Sequence, residues 1–361
     1  MVILAAPVEP HAHLDKALSG LRAPNPAGDL GGAIAAWHGY WPQLTHEDLV
    51  ARATAAVEAM VLRGTTAIRS HVDVGMPLGL RAVRALLAVR DDVAARGLAD
   101  LQLVALVSIP LSGHAGAEHR RLLDEALSLG VEVAGGAPYR DSDPEDCTRL
   151  ALDAAARFGT AVDLHTDETL DPSVLDVRHL ARLAVARGLG GSVTASHCVS
   201  LGVQPTVVQD AVAAELADAG VAVVVLPQTN LYLQARDQRV APPRGLTAVR
   251  ALLDAGVTVA AGADNVRDPF CSMGRLDALE TAALLVMTAH LSPAEAWELC
   301  TTGGRAALGL PPVTLAPGSP AELLAVEGAS LADAMAGAGE RRIVVHQGRI
   351  VASTQVSRQL F

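Results

Sequence analysis

Eight short runs of β-branched and apolar residues recur along the chain, and stretches with the apolar spacing of helices separate them. The helical stretches include residues 46–63, 80–96 and 247–255, and Thr45 is a predicted N-cap. The alternation predicts an α/β fold. It favours a (β/α)8 barrel of the TIM type over residues 1–311, although an open doubly wound sheet fits almost as well. The eight predicted strands are residues 2–8, 67–74, 101–110, 131–138, 160–167, 192–197, 221–227 and 257–263.

The pattern changes near Leu310, where the sequence becomes rich in proline and glycine in "GLPPVTLAPGSPAELLAV". The following segment, "RRIVVHQGRIVAS", reads as a β-hairpin that turns at Gln347 and Gly348. Residues 312–361 are therefore predicted to form a small β segment beside the barrel.

Charge and composition exclude several classes of partner. The net charge of −11 argues against nucleic acid and against an anionic membrane surface, since both are bound through positive charge. No apolar stretch has membrane-spanning length, and residues 1–8 lack the basic start of a signal peptide. Four cysteines without CxxC spacing are expected to be free thiols. These features predict a soluble cytoplasmic protein.

Polar residues cluster at the predicted C-terminal ends of five strands. In a barrel these ends meet at one mouth, so the side chains are expected to converge there. Several histidines with an aspartate make a ligand set for zinc or divalent iron, with one position open for water. For any single histidine, the alternative is a hydrogen-bonded core residue. The polar residues are His11, His13, His71, Asp73, His165, Asp167, Glu168, His197 and Asp264.

Asp15 and Lys16 follow the first histidine pair directly, and Lys16 is the only lysine in the chain. Two interpretations stay open at this point. The two residues either hold the first loop through an ion pair or line the pocket.

The sequence resembles the amidohydrolase superfamily and, within it, the bacterial cytosine deaminase branch. The resemblance rests on "EPHAHLDK", "LTHEDL", "RSHVDV", "VEVAGGAPY", "DLHTDE", "VTASHC", "NLYLQARD" and "GADNVRDPF", in the family's order over nearly the whole chain. It implies one divalent metal ion, zinc or iron. In other branches of the family a lysine at the end of strand four bridges two metal ions, and that lysine has no counterpart here. The implied metal ligands are His11, His13, His165 and Asp264.

The resemblance also implies the catalytic roles. Glu168 would shuttle a proton to the ring nitrogen and then to the leaving amine. Asp264 would orient the attacking water and accept its proton, and His197 would hydrogen-bond the developing oxygen or the leaving group. A bound divalent metal lowers the pKa of its water from 15.7 to about 7. The expected activity is hydrolytic deamination of an amino-substituted nitrogen heterocycle, and Lys16 and Asn265 are expected to contact this substrate. The H-x-E and P-C-x-x-C motifs of the other zinc deaminases are absent.

Two departures from the family pattern affect the expectations. Only ten residues precede His11, so the N-terminal half of the family's small β-sandwich is expected to be missing. In "SIPLSG", Leu111 occupies the position of a glutamine that reads the pyrimidine edge, and Phe270 replaces a tryptophan. A leucine cannot satisfy a polar ring edge, so cytosine itself is expected to be a poor substrate.

Two other functions compete with deamination. The same site could hydrolyse another C–N bond, in an N-alkylamino-triazine or a cyclic amide, or the barrel could be a catalytically silent binding protein. Glu168 favours deamination because protonation of a ring nitrogen needs such an acid. The expected partner is a small heterocyclic substrate, and a homo-oligomer is possible.

Overall fold

The computed structural model describes all 361 residues, and its first strand ends earlier than the sequence predicts. The predicted strand at residues 2–8 is divided between two strands, β1 (Val2–Ala5) and β2 (Val8–Ala12), with Ala6 and Pro7 between them. Strand β1 pairs outside the barrel, whereas β2 is the first barrel strand. The expectation of a single strand was wrong here, because the chain passes from the small sheet to the barrel sheet between Ala5 and Val8.

The predicted barrel is confirmed. Strands β2 to β9 form one parallel sheet in sequence order. A bridge between Ala12 and Asp264 joins its two edges, and the Asp264 amide donates to the carbonyl of His11 at 3.0 Å. The joining seam therefore runs through predicted site residues. The remaining barrel strands are β3 (Ala67–Val74), β4 (Asp100–Val107), β5 (Val133–Gly136), β6 (Ala161–Thr166), β7 (Val193–His197), β8 (Ala222–Val225) and β9 (Val259–Ala261).

Helices follow the barrel strands and have the local signals expected of them. Thr45 caps the second helix by accepting a hydrogen bond from the amide of Asp48 at 3.1 Å. Four helices end at a left-handed glycine, as at Gly97. No helix combines the length and the apolar character needed to cross a membrane. The helices are α1 (Leu30–Tyr40), α2 (His46–Leu62), α3 (Arg81–Arg96), α4 (Ala117–Ser128), α5 (Pro144–Phe158), α6 (Val177–Arg187), α7 (Thr206–Ala219), α8 (Pro227–Leu233), α9 (Val249–Asp254), α10 (Ala278–Thr288), α11 (Pro293–Glu298), α12 (Gly304–Ala307) and α13 (Leu331–Gly337).

A second, antiparallel sheet has the strand order β1, β10, β11, β12. Its later strands are β10 (Leu323–Val326), β11 (Arg342–His346) and β12 (Arg349–Ser353). The last two form the predicted hairpin, with Gln347 and Gly348 between them. Val2 pairs with Val326, so the segment expected to be a barrel domain, residues 1–311, also supplies one strand of the small sheet.

The core is built mainly from alanine, valine and leucine. All four cysteines are buried and unpaired, as expected of free thiols. Charged residues also lie inside the barrel, and Arg69 and Asp163 form an ion pair of 3.0 Å that is almost fully buried. A buried charge needs a partner of this kind, because removing it from water is costly.

Candidate functional site

The C-terminal ends of the barrel strands bring together the predicted histidines and Asp264. Nε2 of His13 lies 3.2 Å from Nε2 of His165 and 3.2 Å from Oδ1 of Asp264. Nε2 of His11 is 3.7 Å from the same carboxylate oxygen, and Nε2 of His197 is 3.9 Å from Oδ2. These five side chains are buried. The structure therefore assembles, from four strands and the loops that follow them, the group that the sequence predicted.

The backbone turns sharply where these strands end. Asp167, His197 and Asp264 adopt positive φ angles of 52°, 74° and 67°. Residues other than glycine rarely adopt this left-handed backbone conformation, and its strain persists only where the surrounding structure supports it. Two of these turns carry His197 and Asp264, whose side chains approach to 3.9 Å between Nε2 and Oδ2.

The donor atoms of the site suit a divalent cation. Nε2 of His11, Nε2 of His197 and both Asp264 oxygens are buried without a hydrogen-bond partner. Burial lowers the pKa of His11, His13 and His165 well below the usual value, so these imidazoles are neutral and keep a free lone pair. Neutral imidazoles with one carboxylate are ligands of zinc and iron, and spacings near 3.2 Å suit neighbouring ligands of one ion.

His71, also predicted at a strand end, lies against this group. Its ring stacks on that of His11 with centroids 3.8 Å apart, and its Nε2 is 3.6 Å from Oδ2 of Asp163. Two sets of three side chains have ligand atoms within 4.8 Å of one another, namely His11, His71 and His165, and His11, His197 and Asp264. Both ring nitrogens of His71 are buried without a hydrogen-bond partner. By geometry, His71 is therefore as available to a cation as the predicted ligands, although the sequence did not place it among them.

Lys16 both forms an ion pair and lines the cavity, so the two interpretations left open by the sequence are compatible. Its Nζ lies 2.8 Å from Oδ1 of Asp73 and 3.4 Å from Oδ2 of Asp15. Burial opposes the charge, but the two carboxylates raise the pKa of Lys16 above its ordinary value. The indole N–H of Trp37 donates to the other oxygen of Asp73 at 2.6 Å. This network fixes the ammonium group at the edge of the cavity.

Glu168 is a buried carboxyl group on the other side of the histidines. Its Oε1 lies 3.7 Å from Nδ1 of His197, and the hydroxyl of Tyr139 donates to its Oε2 at 3.0 Å. Burial raises the pKa of Glu168 to about 7, against the opposing effects of Tyr139 and Arg140. A carboxyl group with this pKa can hold or release a proton at neutral pH, as a general acid or base must.

A cavity that opens to solvent at its mouth joins these groups, and the empty space within it, including the part that is open to solvent, is about 800 Å³. Lys16, Asn265 and Phe270 line it, as expected, together with His13, His165, Glu168, His197 and Asp264. Its apolar lining includes Leu30, Ile34, Trp37 and Ile109. The combination of apolar walls and a few convergent polar groups is typical of a small-molecule site.

Leu111 lies elsewhere than the sequence suggested. Its side chain is fully buried and is not part of the cavity lining, which Ser108 and Ile109 supply from the same segment. Strand β4 ends at Val107, three residues before the predicted end. The carboxylate of Asp141 then accepts hydrogen bonds from the amides of Leu111 and Ser112, which turns the segment into the core.

Sequence reasoning missed several residues of the site, and Tyr139 and Trp37 are the two that contact predicted site residues by hydrogen bonds. Tyr139 follows β5 and lies within the quoted segment "VEVAGGAPY", so a polar residue after a strand was an available signal. Trp37 belongs to α1, a helix that enters the mouth, and nothing in its spacing pointed to the cavity. Only the folded chain brings Trp37 and Asp73 together.

Comparisons with known proteins agree with this geometry. Residues 41–352 match the model of the amidohydrolase family. A pterin deaminase from Rhizobium rhizogenes is 32% identical over 349 residues, which cover 94% of this chain and 78% of that protein. The structure of 5-methylcytosine deaminase from Klebsiella pneumoniae liganded with 5-fluorocytosine has a TM-score of 0.90 at 29% identity, with 99% of this chain and 88% of that chain covered.

A third relative, N-isopropylammelide isopropylaminohydrolase from Burkholderia multivorans, has a TM-score of 0.83 at 31% identity over 98% of this chain and 87% of that chain. Both the family match and these identities extend over most of the chain. The chain therefore belongs to the amidohydrolase family and is a hydrolase that acts on C–N bonds.

Proposed function

We propose that the protein is a metal-dependent hydrolytic deaminase of an amino-substituted nitrogen heterocycle. The observation that carries the proposal is the position of Glu168, whose carboxyl group lines the same cavity as Asp264 and lies 3.7 Å from His197. Attack on an aromatic ring carbon needs a proton on the adjacent ring nitrogen. A buried carboxyl with a pKa of about 7 is suited to supply that proton.

The ligands that we propose for one zinc or iron ion are His11, His13, His165 and Asp264. Bound there, a divalent metal would make water acidic enough to act as a nucleophile at neutral pH. In this proposal Asp264 would orient the attacking water and accept its proton. His197 has a pKa lowered to about 3 by burial, so it is neutral and acts as a hydrogen-bond partner of the developing oxygen rather than as an acid.

The cavity walls favour a flat ring with an apolar edge. Trp37 and Phe270 both line the cavity, and Nζ of Lys16 lies 5.7 Å and 6.0 Å from their ring centroids. Ile34 and Ile109 add apolar surface, where a recognition site for cytosine alone would need polar partners. The related pterin deaminase and 5-methylcytosine deaminase support a substrate larger or less polar than cytosine.

A substrate panel tests the proposal. The zinc-loaded protein is incubated with pterin, 5-methylcytosine, cytosine and N-isopropylammelide, and released ammonia and isopropylamine are measured separately. We expect ammonia from pterin or 5-methylcytosine and much less from cytosine.

The second candidate function is removal of an alkylamine from a triazine ring. The apolar residues of the cavity wall favour it, as does the similarity to the isopropylaminohydrolase of Burkholderia multivorans. Isopropylamine without ammonia would select this reaction. Release of neither amine by the metal-loaded protein would contradict both functions and favour a binding protein.

A further inference from the structure

Behind His11, a row of hydrogen-bonded, buried polar groups crosses the interior of the barrel. Nδ1 of His11 lies 2.9 Å from Oγ of Ser196, and that hydroxyl donates to Oδ1 of Asp163 at 2.8 Å. The other oxygen of Asp163 accepts from the guanidinium group of Arg69 at 3.0 Å. The four residues come from strands β2, β7, β6 and β3, and each is almost completely buried.

Chemistry fixes which group donates and which accepts in each hydrogen bond of this row. An arginine is always charged and can only donate, so the Asp163 carboxylate beside it is ionised and can only accept. A serine hydroxyl has a single proton, and here that proton is directed at Asp163. Its oxygen can then only accept from His11, so Nδ1 of His11 must carry the imidazole proton.

We infer that Arg69, Asp163 and Ser196 form a relay that sets the tautomer of His11 and so prepares it as a metal ligand. With the proton on Nδ1, the lone pair of His11 lies on Nε2, the atom that faces Asp264 at 3.7 Å and has no hydrogen-bond partner. Ser196 is thus a positioning residue that acts through His11. Hydrogen bonds of this kind to a ligand histidine usually contribute 10–100-fold to metal affinity.

The inference rests on the proposed metal site but not on the proposed substrate. Its test therefore measures zinc binding, by competition with a chromophoric chelator, and needs no turnover. Ser196→Ala should raise the Kd for zinc about 10–100-fold. Ser196→Thr keeps the hydroxyl, so its Kd for zinc should rise by less than the roughly 10-fold lower limit expected of Ser196→Ala, as rescue of a specific hydrogen bond requires.

Ser200→Ala is the matched control, because Ser200 is also buried and its hydroxyl bonds only the carbonyl of Val174. It should leave the zinc Kd unchanged. If Ser196→Ala does not fold, Ser196→Cys replaces it, and its weakly donating thiol should give an intermediate loss. Nitrogen-15 spectra of the metal-free protein, labelled in histidine, should show the Nδ1–H tautomer of His11, with the signal assigned through His11→Asn.

Several results would overturn the inference: zinc affinity unchanged in Ser196→Ala, an equal loss in Ser200→Ala, or an Nε2–H tautomer of His11 in the unaltered protein. A protein that binds no zinc at all would remove this inference and the metal part of the proposed function together. Zinc binding without deamination of any heterocycle would contradict only the function, and the Kd values would still decide the role of Ser196.

Discussion

The hydroxyl of Tyr139 lies 3.0 Å from Oε2 of Glu168 and donates a hydrogen bond to it. This bond favours the ionised carboxylate and so opposes the effect of burial, which raises the pKa of Glu168 to about 7. The two residues follow neighbouring strands, β5 and β6, and Tyr139 therefore moderates the raised pKa of Glu168 without being one of the proposed metal ligands.

A pH profile of Tyr139→Phe tests this relationship. If the reaction needs protonated Glu168, kcat/KM of the unaltered enzyme should fall as the pH rises above about 7. Tyr139→Phe removes the hydroxyl that lowers the pKa of Glu168, so the falling limb of the kcat/KM profile should move to higher pH in the variant. A limb that stays in place, or moves to lower pH, would contradict the assignment.

Glu168→Gln should reduce turnover by several powers of ten, about 10²–10⁴-fold, because it removes the proton carrier without altering a proposed metal ligand. Metal content and melting temperature should stay close to those of the unaltered protein. Glu298→Gln, at an exposed position, is the control and should have full activity. A rate close to normal in Glu168→Gln would reduce Glu168 to a structural residue.

Metal analysis of the purified protein should give one zinc or iron per chain. Removal by a chelator should abolish activity, and added zinc should restore it, since the water needs activation at neutral pH. Asp264→Asn should weaken metal binding, whereas His114→Gln, at an exposed position, should not. Full activity of the metal-free protein, or two metal ions per chain, would contradict the proposed site.

Substitutions at Ile109 and Leu111 should separate specificity from stability. Ile109 lines the cavity, so Ile109→Gln should alter the relative kcat/KM of pterin and cytosine. Leu111 is fully buried outside the lining, so Leu111→Gln should lower the free energy of unfolding by about 2–3 kcal/mol. Substrate competition assays and urea unfolding of both variants check these outcomes. Altered preference in a stable Leu111→Gln protein would contradict the placement of Leu111.

An ion pair in the small sheet should make stability depend on pH. Nδ1 of His346 lies 2.8 Å from Oε2 of Glu322. Burial opposes protonation, but the bond to Glu322 raises the pKa of His346 above 6.5. Burial likewise opposes ionisation of Glu322, whose pKa the contacts with His346 and the Gln347 amide hold below 4.5.

The His346 contribution is therefore complete below pH 6.5 and is lost as the pH rises through the raised pKa. The Glu322 contribution is present above pH 4.5 and is lost as the pH falls through the lowered pKa. Between pH 4.5 and pH 6.5, His346→Gln should lower the melting temperature of the metal-loaded protein by about 1–2 °C. At pH 9 the same substitution should lower the melting temperature by less. An equal difference at both pH values would contradict this linkage.

Local patterns determined much of the architecture. Residues 67–74 were predicted as a strand and form β3 with those bounds, because an apolar and β-branched run satisfies a buried parallel strand wherever it packs. Thr45 is the N-cap of α2 as predicted, since an N-cap depends only on residues within the same turn. The strand-end histidines were recognisable for a related reason: polar residues are informative where a barrel strand should be apolar.

The tertiary structure alone decided which residues meet across strands. Val2 and Val8 belong to one apolar run, yet β1 pairs with β10 and β2 pairs with β3. The partner of Val2 is Val326 and that of Val8 is Ala67, so nothing in the run itself indicates the different partners. Leu111 was assigned by position along the segment, but the distant carboxylate of Asp141 captures its amide. The relay behind His11 likewise joins four strands. Contacts of this kind join residues that are far apart in the sequence, and no local pattern encodes them.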